Sequence, residues 1–442
     1  MTFNILLLSL QILLLCVLIG KELFHRGAKN LVAIFLFLAH LILVEGQAIY
    51  VLSDLATTSE PVFYADNVIR LRSFTLANMT LTASVVVVCI SYYLAGKRNR
   101  LSRAAKWPPL RETFFSYIVV IGAASAACYA LIQKLGGFRS FYYSMGTMVG
   151  GQVFLMIVLS LGKLPLFHKA ASGMKAKGVD WLLFGVAISL IMLNSRGMAM
   201  LIILQYVVVM YFSRRTRGSM FRVLLRIGVA GFLIVMVYGG IRDFVTPRGS
   251  FEGLVEYYFV GSGADQLRVW TMGDLFYRFM TSAFTGLAGI LNTYLESGVD
   301  HDFGITNLSL FTHLVPYAIR SAVLPDLDDW ITNLSSVSGS VVPGGYEIWF
   351  VHLGFPGILL FSILLGILPR WLHNQLISDG ADRLRYGLLS VHVLNLLLAP
   401  LWAVMFWILA DLSVLAVYRI ALSAGMHFEP KAALDPLVET AP

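Results

Sequence analysis

VDWLLFGVAISLIMLNSRGMAMLIILQYVVVMYF, residues 179–212, is an apolar run broken near its middle by Asn194-Ser195-Arg196-Gly197. A hydrocarbon core is spanned by about 20 apolar residues, and roughly 15 serve where the membrane is thinned or the path is lined by protein. The run is therefore long enough to cross twice. Lys163, Lys169, Lys175 and Lys177 precede it, and Arg214, Arg215 and Arg217 follow it. Short loops rich in lysine and arginine stay on the cytoplasmic side, so both ends belong to one face and the chain crosses, turns and returns. Arg196 then stands at the outer face, where a guanidinium beside hydrocarbon is costly without an anionic partner.

Composition places the rest of the chain in the same environment. Of 442 residues, 58% are hydrophobic and only 13% charged, about half the charged share of a soluble domain. A single integral membrane domain over 1–442 is expected, all-α and polytopic. The formal charge of +8 reports orientation, because the excess lies in short loops. No basic stretch alternates with aromatics in the manner of a base-stacking surface, so nucleic acid is not an expected partner. Cys16, Cys89 and Cys128 fall inside apolar runs and are expected as unpaired packing residues. Residues 3–19 read as an uncleaved first span, since no basic n-region precedes them and no small-residue cleavage site follows.

Apolar runs place spans near 3–19, 31–52, 72–95, 113–134, 146–166, 180–194, 197–212, 223–240, 346–369, 385–400 and 402–420. That is eleven spans, within a range of ten to twelve, with the N-terminus outside and a short cytoplasmic tail at 426–442. Twenty-three of the 33 lysines and arginines then lie inside. Nine of the ten left outside are arginines. Orientation is indifferent to that choice, whereas bidentate capture of phosphate or carboxylate favours the planar fork. Arg70, Arg72, Arg139 and Arg320 suit lipid-headgroup anchors; Arg196 and Arg242 suit a site.

Residues 241–345 form one long outer segment, opening at Gly239-Gly240-Ile241-Arg242-Asp243. Connections of that length inside a compact bundle usually carry function. It holds Arg242, Arg248, Arg268, Arg278 and Arg320 among eleven carboxylates, with Tyr257, Tyr258, Trp270, Tyr277 and Trp330 suited to an interfacial segment or to sugar rings. Phe279–Leu295 is apolar enough for a short re-entrant piece. Asp326-Leu-Asp328-Asp329 has only a superficial metal-binding look, and no His or Cys pattern supports a metal. Neither a Walker loop nor a dinucleotide fingerprint is present. At the entrance of the ninth span stand Tyr346 and Glu347, with His352 deeper. The acid there needs a partner, for which a loop arginine is the expectation, or serves its own helix terminus.

The Asn194–Gly197 turn, the Arg-rich loop after it, the Gly239–Asp243 span end and Val342-Pro-Gly-Gly-Tyr-Glu-Ile-Trp-Phe-Val-His352-Leu-Gly-Phe-Pro-Gly357 together resemble the Wzy-type oligosaccharide repeat unit (O-antigen) polymerases, distant relatives of O-antigen ligases. The likeness runs in order and hydropathy over roughly 140–420. It implies a GT-C-like bundle in the bacterial inner membrane and a metal-free, cofactor-free glycosyltransferase acting on undecaprenyl-pyrophosphate-linked oligosaccharides at the outer face. It also implies membrane lipid, a flippase and a chain-length regulator as partners. The resemblance carries Arg196 and Arg242 over as pyrophosphate-gripping catalytic arginines, with Arg278 a weaker match. Arg248 and Arg268 are further substrate-binding candidates, together with Tyr346. The acceptor hydroxyl needs a base, for which Glu347, Asp243, His352 and His313 are the candidates. Two alternatives stay open: a ligase-type glycan transferase, and a lipid-linked oligosaccharide flippase or other transporter.

Overall fold

The computed structural model describes residues 2–25, 29–52, 71–96, 162–172, 174–192, 196–213, 229, 286–299, 301, 303, 344–378, 383–398 and 401–423. Within them lie α1 (Thr2–Leu23), α2 (Leu31–Leu52), α3 (Leu71–Leu94), α4 (Gly178–Met192) and α5 (Arg196–Ser213). They are followed by α6 (Gly345–Ser378), α7 (Arg383–Ser390), α8 (His392–Leu398) and α9 (Leu401–Ser423). Residues 162–171 and 286–297 are also helical, and no strand occurs among the described residues. Among the described residues three helices, covering Thr2–Leu23, Arg72–Leu94 and Gly345–Ile377, are long and apolar enough to cross a membrane. The expected span at 113–134, Cys128, and nearly all of 223–240 lie outside the described residues.

The polarity of α1 is inverted relative to a soluble helix. Leu6 and Leu13 are about 60% exposed, while Asn4 and Gln11 are buried. Gln11 Nε2 donates to Asn78 Oδ1 (2.8 Å) and Thr82 Oγ1 (2.7 Å), and Asn4 Nδ2 to Thr75 Oγ1 (3.1 Å). Polar groups turn inward and apolar ones outward because the surrounding medium is hydrocarbon, where an unpaired amide costs several kcal/mol. Cys16 lies on the outward face of α1 and Cys89 inside; both are free thiols.

The most extensive packing joins α6 to α3, and α1 packs on both α2 and α3. Gly366 permits the first of these contacts: a Cβ there would lie 2.6 Å from Val88 O and 3.0 Å from Tyr92 N. Small residues that admit a neighbouring backbone are the usual basis of helix association in lipid. At one end of this layer Arg370 bonds Glu22 Oε1 (3.2 Å) and lies 3.7 Å over the Tyr92 ring, while Asn30 donates to the Tyr92 hydroxyl (3.2 Å) and Pro369 O (3.1 Å). α4 and α5 form an antiparallel hairpin, with Trp181 and Tyr206 5.3 Å apart and about equidistant from the turn.

Two of the expected spans differ in detail. The ninth runs longer, to Ser378, and breaks at Gly354 (φ 66°, ψ −149°), two residues before Pro356. Proline cannot continue the hydrogen-bond ladder and its ring crowds the preceding turn; the glycine absorbs the change of direction in a conformation other residues resist. The tenth is two short helices, α7 and α8, meeting at Val391.

Gly366→Ala should destabilise the purified protein by about 1–3 kcal/mol through overpacking. Gly20→Ala, in open space, should instead stabilise by up to about 1 kcal/mol from helix propensity. Denaturant unfolding of both variants in detergent checks the opposite signs.

Candidate functional site

Arg196 is the first residue of α5, so its backbone stands at the positive end of that helix, at the tip of the α4–α5 hairpin. Arg242, Asp243, Arg248, Arg268, Arg278 and His313 lie outside the described residues. Tyr346, Glu347 and His352 fall together on the first turns of α6, and all three are buried.

Glu347 closes its own helix. It is the third residue of α6, and its Oε2 accepts the backbone N–H of Gly344, the residue just before the helix. This is the reach-back half of a capping box, with glycine in place of the usual hydroxyl residue. Asp180 does the same for α4, its Oδ2 accepting the Lys177 N–H at 2.6 Å. The carboxylate of Glu347 also packs against Gly286, where a side chain would collide with it, and its Oε1 is buried without a hydrogen-bond partner among the described residues. The partner found here is thus a backbone amide; the expected loop arginines are outside the described residues.

The neighbours of Glu347 are accounted for in the same way. The Tyr346 hydroxyl and His40 Nε2 are 3.0 Å apart, and His40 Nδ1 is 2.9 Å from Leu36 O. Deeper along α6, Pro356 has no N–H for the His352 carbonyl, and the turn at Gly354 frees the Val351 carbonyl too. Phe303 N–H takes His352 O at 3.1 Å, and His301 Nδ1 takes Val351 O at 3.1 Å. His301 and Phe303 are thereby stitched onto the break.

A second polar centre was not singled out in the sequence. Asp411, in the middle of α9, is 2% exposed, and Lys163 is fully buried. Lys163 Nζ is paired with Asp411 Oδ1 and donates to Gln205 Oε1 at 3.1 Å. Gln205 Nε2 donates to Asp411 Oδ2 (2.5 Å) and to Leu388 O (2.7 Å), and His392 Nε2 is 2.6 Å from Asp411 Oδ2. Four elements contribute side chains there, 162–171, α5, α8 and α9, and α7 supplies the Leu388 carbonyl. α8 joins this centre to the first one, since a Cβ at Gly344 or Gly345 would meet the carbonyls of Leu397 and Leu396. The available signal was an aspartate inside an apolar run, which requires a partner in hydrocarbon. Lys163, Arg370 and Lys169, counted in the sequence as loop charges, are instead buried and paired with Asp411, Glu22 and Asp180.

Among the described residues no group of three or more His, Cys, Asp or Glu side chains is placed to hold a metal. Comparison of the chain with protein-family models, with curated proteins and with solved structures finds no match.

Neutral interhelical hydrogen bonds in membranes contribute about 0.6–1.7 kcal/mol each, whereas removing one partner of a buried ion pair costs about 3–5 kcal/mol. Lys163→Met and Asp411→Leu should each lose the larger amount, and the double variant should recover much of it. Denaturant unfolding in detergent checks this cycle.

Proposed function

We propose that this chain polymerises lipid-linked oligosaccharide repeat units, moving a growing glycan en bloc from one undecaprenyl pyrophosphate to the terminal sugar of another. On this reading it is an eleven-span, GT-C-like glycosyltransferase of a bacterial inner membrane, working at the outer face. The observation that carries the reading is the α4–α5 hairpin, which gathers an arginine and a helix N-terminus at one tip. Both features favour an anion of the pyrophosphate kind. Departure of the lipid pyrophosphate develops negative charge on its bridging oxygen, and fixed guanidiniums stabilise that charge most in a water-poor site. In this scheme Arg196 and Arg242 grip the leaving group, and Arg248, Arg268 and Arg278 hold the carrier or glycan. Asp243, Glu347, His352 and His313 are the candidate bases for the acceptor hydroxyl. Glu347 acts there only if it exchanges its bond to Gly344 for one to substrate.

A second reading, a transporter of lipid-linked oligosaccharide, is favoured by the Lys163–Asp411–His392 centre. Buried charges midway along apolar helices commonly mark transport paths. Electrophoretic display of the surface glycan separates the readings. Loss of a polymerase leaves single repeats on the final carrier, and loss of a ligase leaves no attached glycan. Loss of a flippase strands lipid-linked repeats on the cytoplasmic face.

Arg196→Ala and Arg242→Ala should lower chain extension on the order of a hundredfold or more at normal expression, and the lysine variants should restore little because the fork is lost. A full-length polymer ladder in both alanine variants would sink the assignment.

A further inference from the structure

At the open end of the α4–α5 hairpin lies a cavity of about 240 Å³, lined by Met174, Lys175, Trp181, Tyr206, Met210 and two alanines. It lies roughly 15–20 Å along the helices from the Arg196 tip, at 1.5 Å per residue. Trp181 and Met174 are exposed at its surface, and so is the Leu182 side chain beside it. Lys175 and Lys177 follow the helix 162–171, which itself carries Lys169, but the three charges are not equivalent. Lys169 is buried against Asp180 at 2.9 Å, and the same carboxylate receives the Lys177 amide. Asp180 is thus consumed, and no acidic side chain among the described residues pairs with Lys175.

From this geometry we infer that the cavity binds an anionic phospholipid of the surrounding leaflet, its phosphate at Lys175 and the top of an acyl chain against Trp181, Tyr206 and Met210. Three observations argue for a lipid over a soluble anion. The wall opposite the ammonium is aromatic and methionine-rich, which suits chain methylenes. Trp181 and Tyr206, 5.3 Å apart, are the ring types that membrane interfaces favour. Apolar side chains around it, Trp181, Leu182 and Met174, are exposed, as they are where lipid is the neighbour. Charge complementarity selects the headgroup, because basic sites beside membrane helices attract anionic lipid. The bound lipid would brace the base of the hairpin that carries Arg196. The inference rests on the membrane setting alone and holds whichever reaction the chain performs.

The test uses full-length protein in nanodiscs of phosphatidylcholine with a minority of phosphatidylglycerol. Lipids retained after delipidation are counted by native mass spectrometry. Phosphatidylglycerol should be retained preferentially, and Lys175→Gln should lower that preference about fivefold, the worth of one ammonium near an anionic surface. Lys175→Arg should keep it. Trp181 should be quenched by brominated phosphatidylglycerol more than by brominated phosphatidylcholine, with Trp181→Phe as the blank. Equal retention of the two lipids, or a preference untouched by Lys175→Gln, overturns the proposal. Displacement by a polyprenyl phosphate but not by phosphatidylglycerol also overturns it, making the occupant a substrate-type carrier. Both lysine variants lie on an exposed linker, so their folding is not at stake.

Discussion

A bundle in hydrocarbon has to satisfy every polar group from within, and the Lys163–Asp411 pair is where that constraint is sharpest. Each charge alone would carry a desolvation cost that no packing contact nearby offsets. Together, with Gln205 and His392 both meeting the second oxygen of the carboxylate, they form a network of side chains drawn from four elements. Because the set is complete only when all four are in register, it selects one mutual arrangement of 162–171, α5, α8 and α9. The Glu22–Arg370–Asn30–Tyr92 knot acts likewise on α1, α2, α3 and α6.

The helices were legible where hydropathy alone decides the outcome. The boundaries of α1, α2, α3, α4, α5 and α9 fall within a few residues of the apolar runs, and the interruption at Asn194–Gly197 falls where α4 ends and the antiparallel α5 begins. Two breaks escaped because each is a local matter. Gly354 and Pro356 bend a run that remains apolar throughout, so no change in hydropathy marks them. Val391 separates α7 from α8 for a reason that the neighbouring side chains do not explain.

The candidate site was legible in part and for the same physical reason. Tyr346, Glu347 and His352 share the start of one helix, as their spacing implied. What spacing could not say is which bonds these groups already make. Glu347 is engaged by the Gly344 amide, and the Tyr346 hydroxyl by His40, three hundred residues away in sequence. Conversely, counting lysines and arginines as markers of sidedness concealed that Lys163, Lys169 and Arg370 turn back into the protein to meet acids. A charge count treats side chains as solvated; pairing inside the bundle depends on contacts between distant stretches that a count does not contain.

The break at Gly354 has a mechanical consequence. Two carbonyls released there are clothed by His301 and Phe303, and pulling that strip of chain away would leave both naked in an oily medium. His301 and Phe303 are therefore tied to the stretch of α6 just before the glycine, and straightening the helix there would put both bonds at risk.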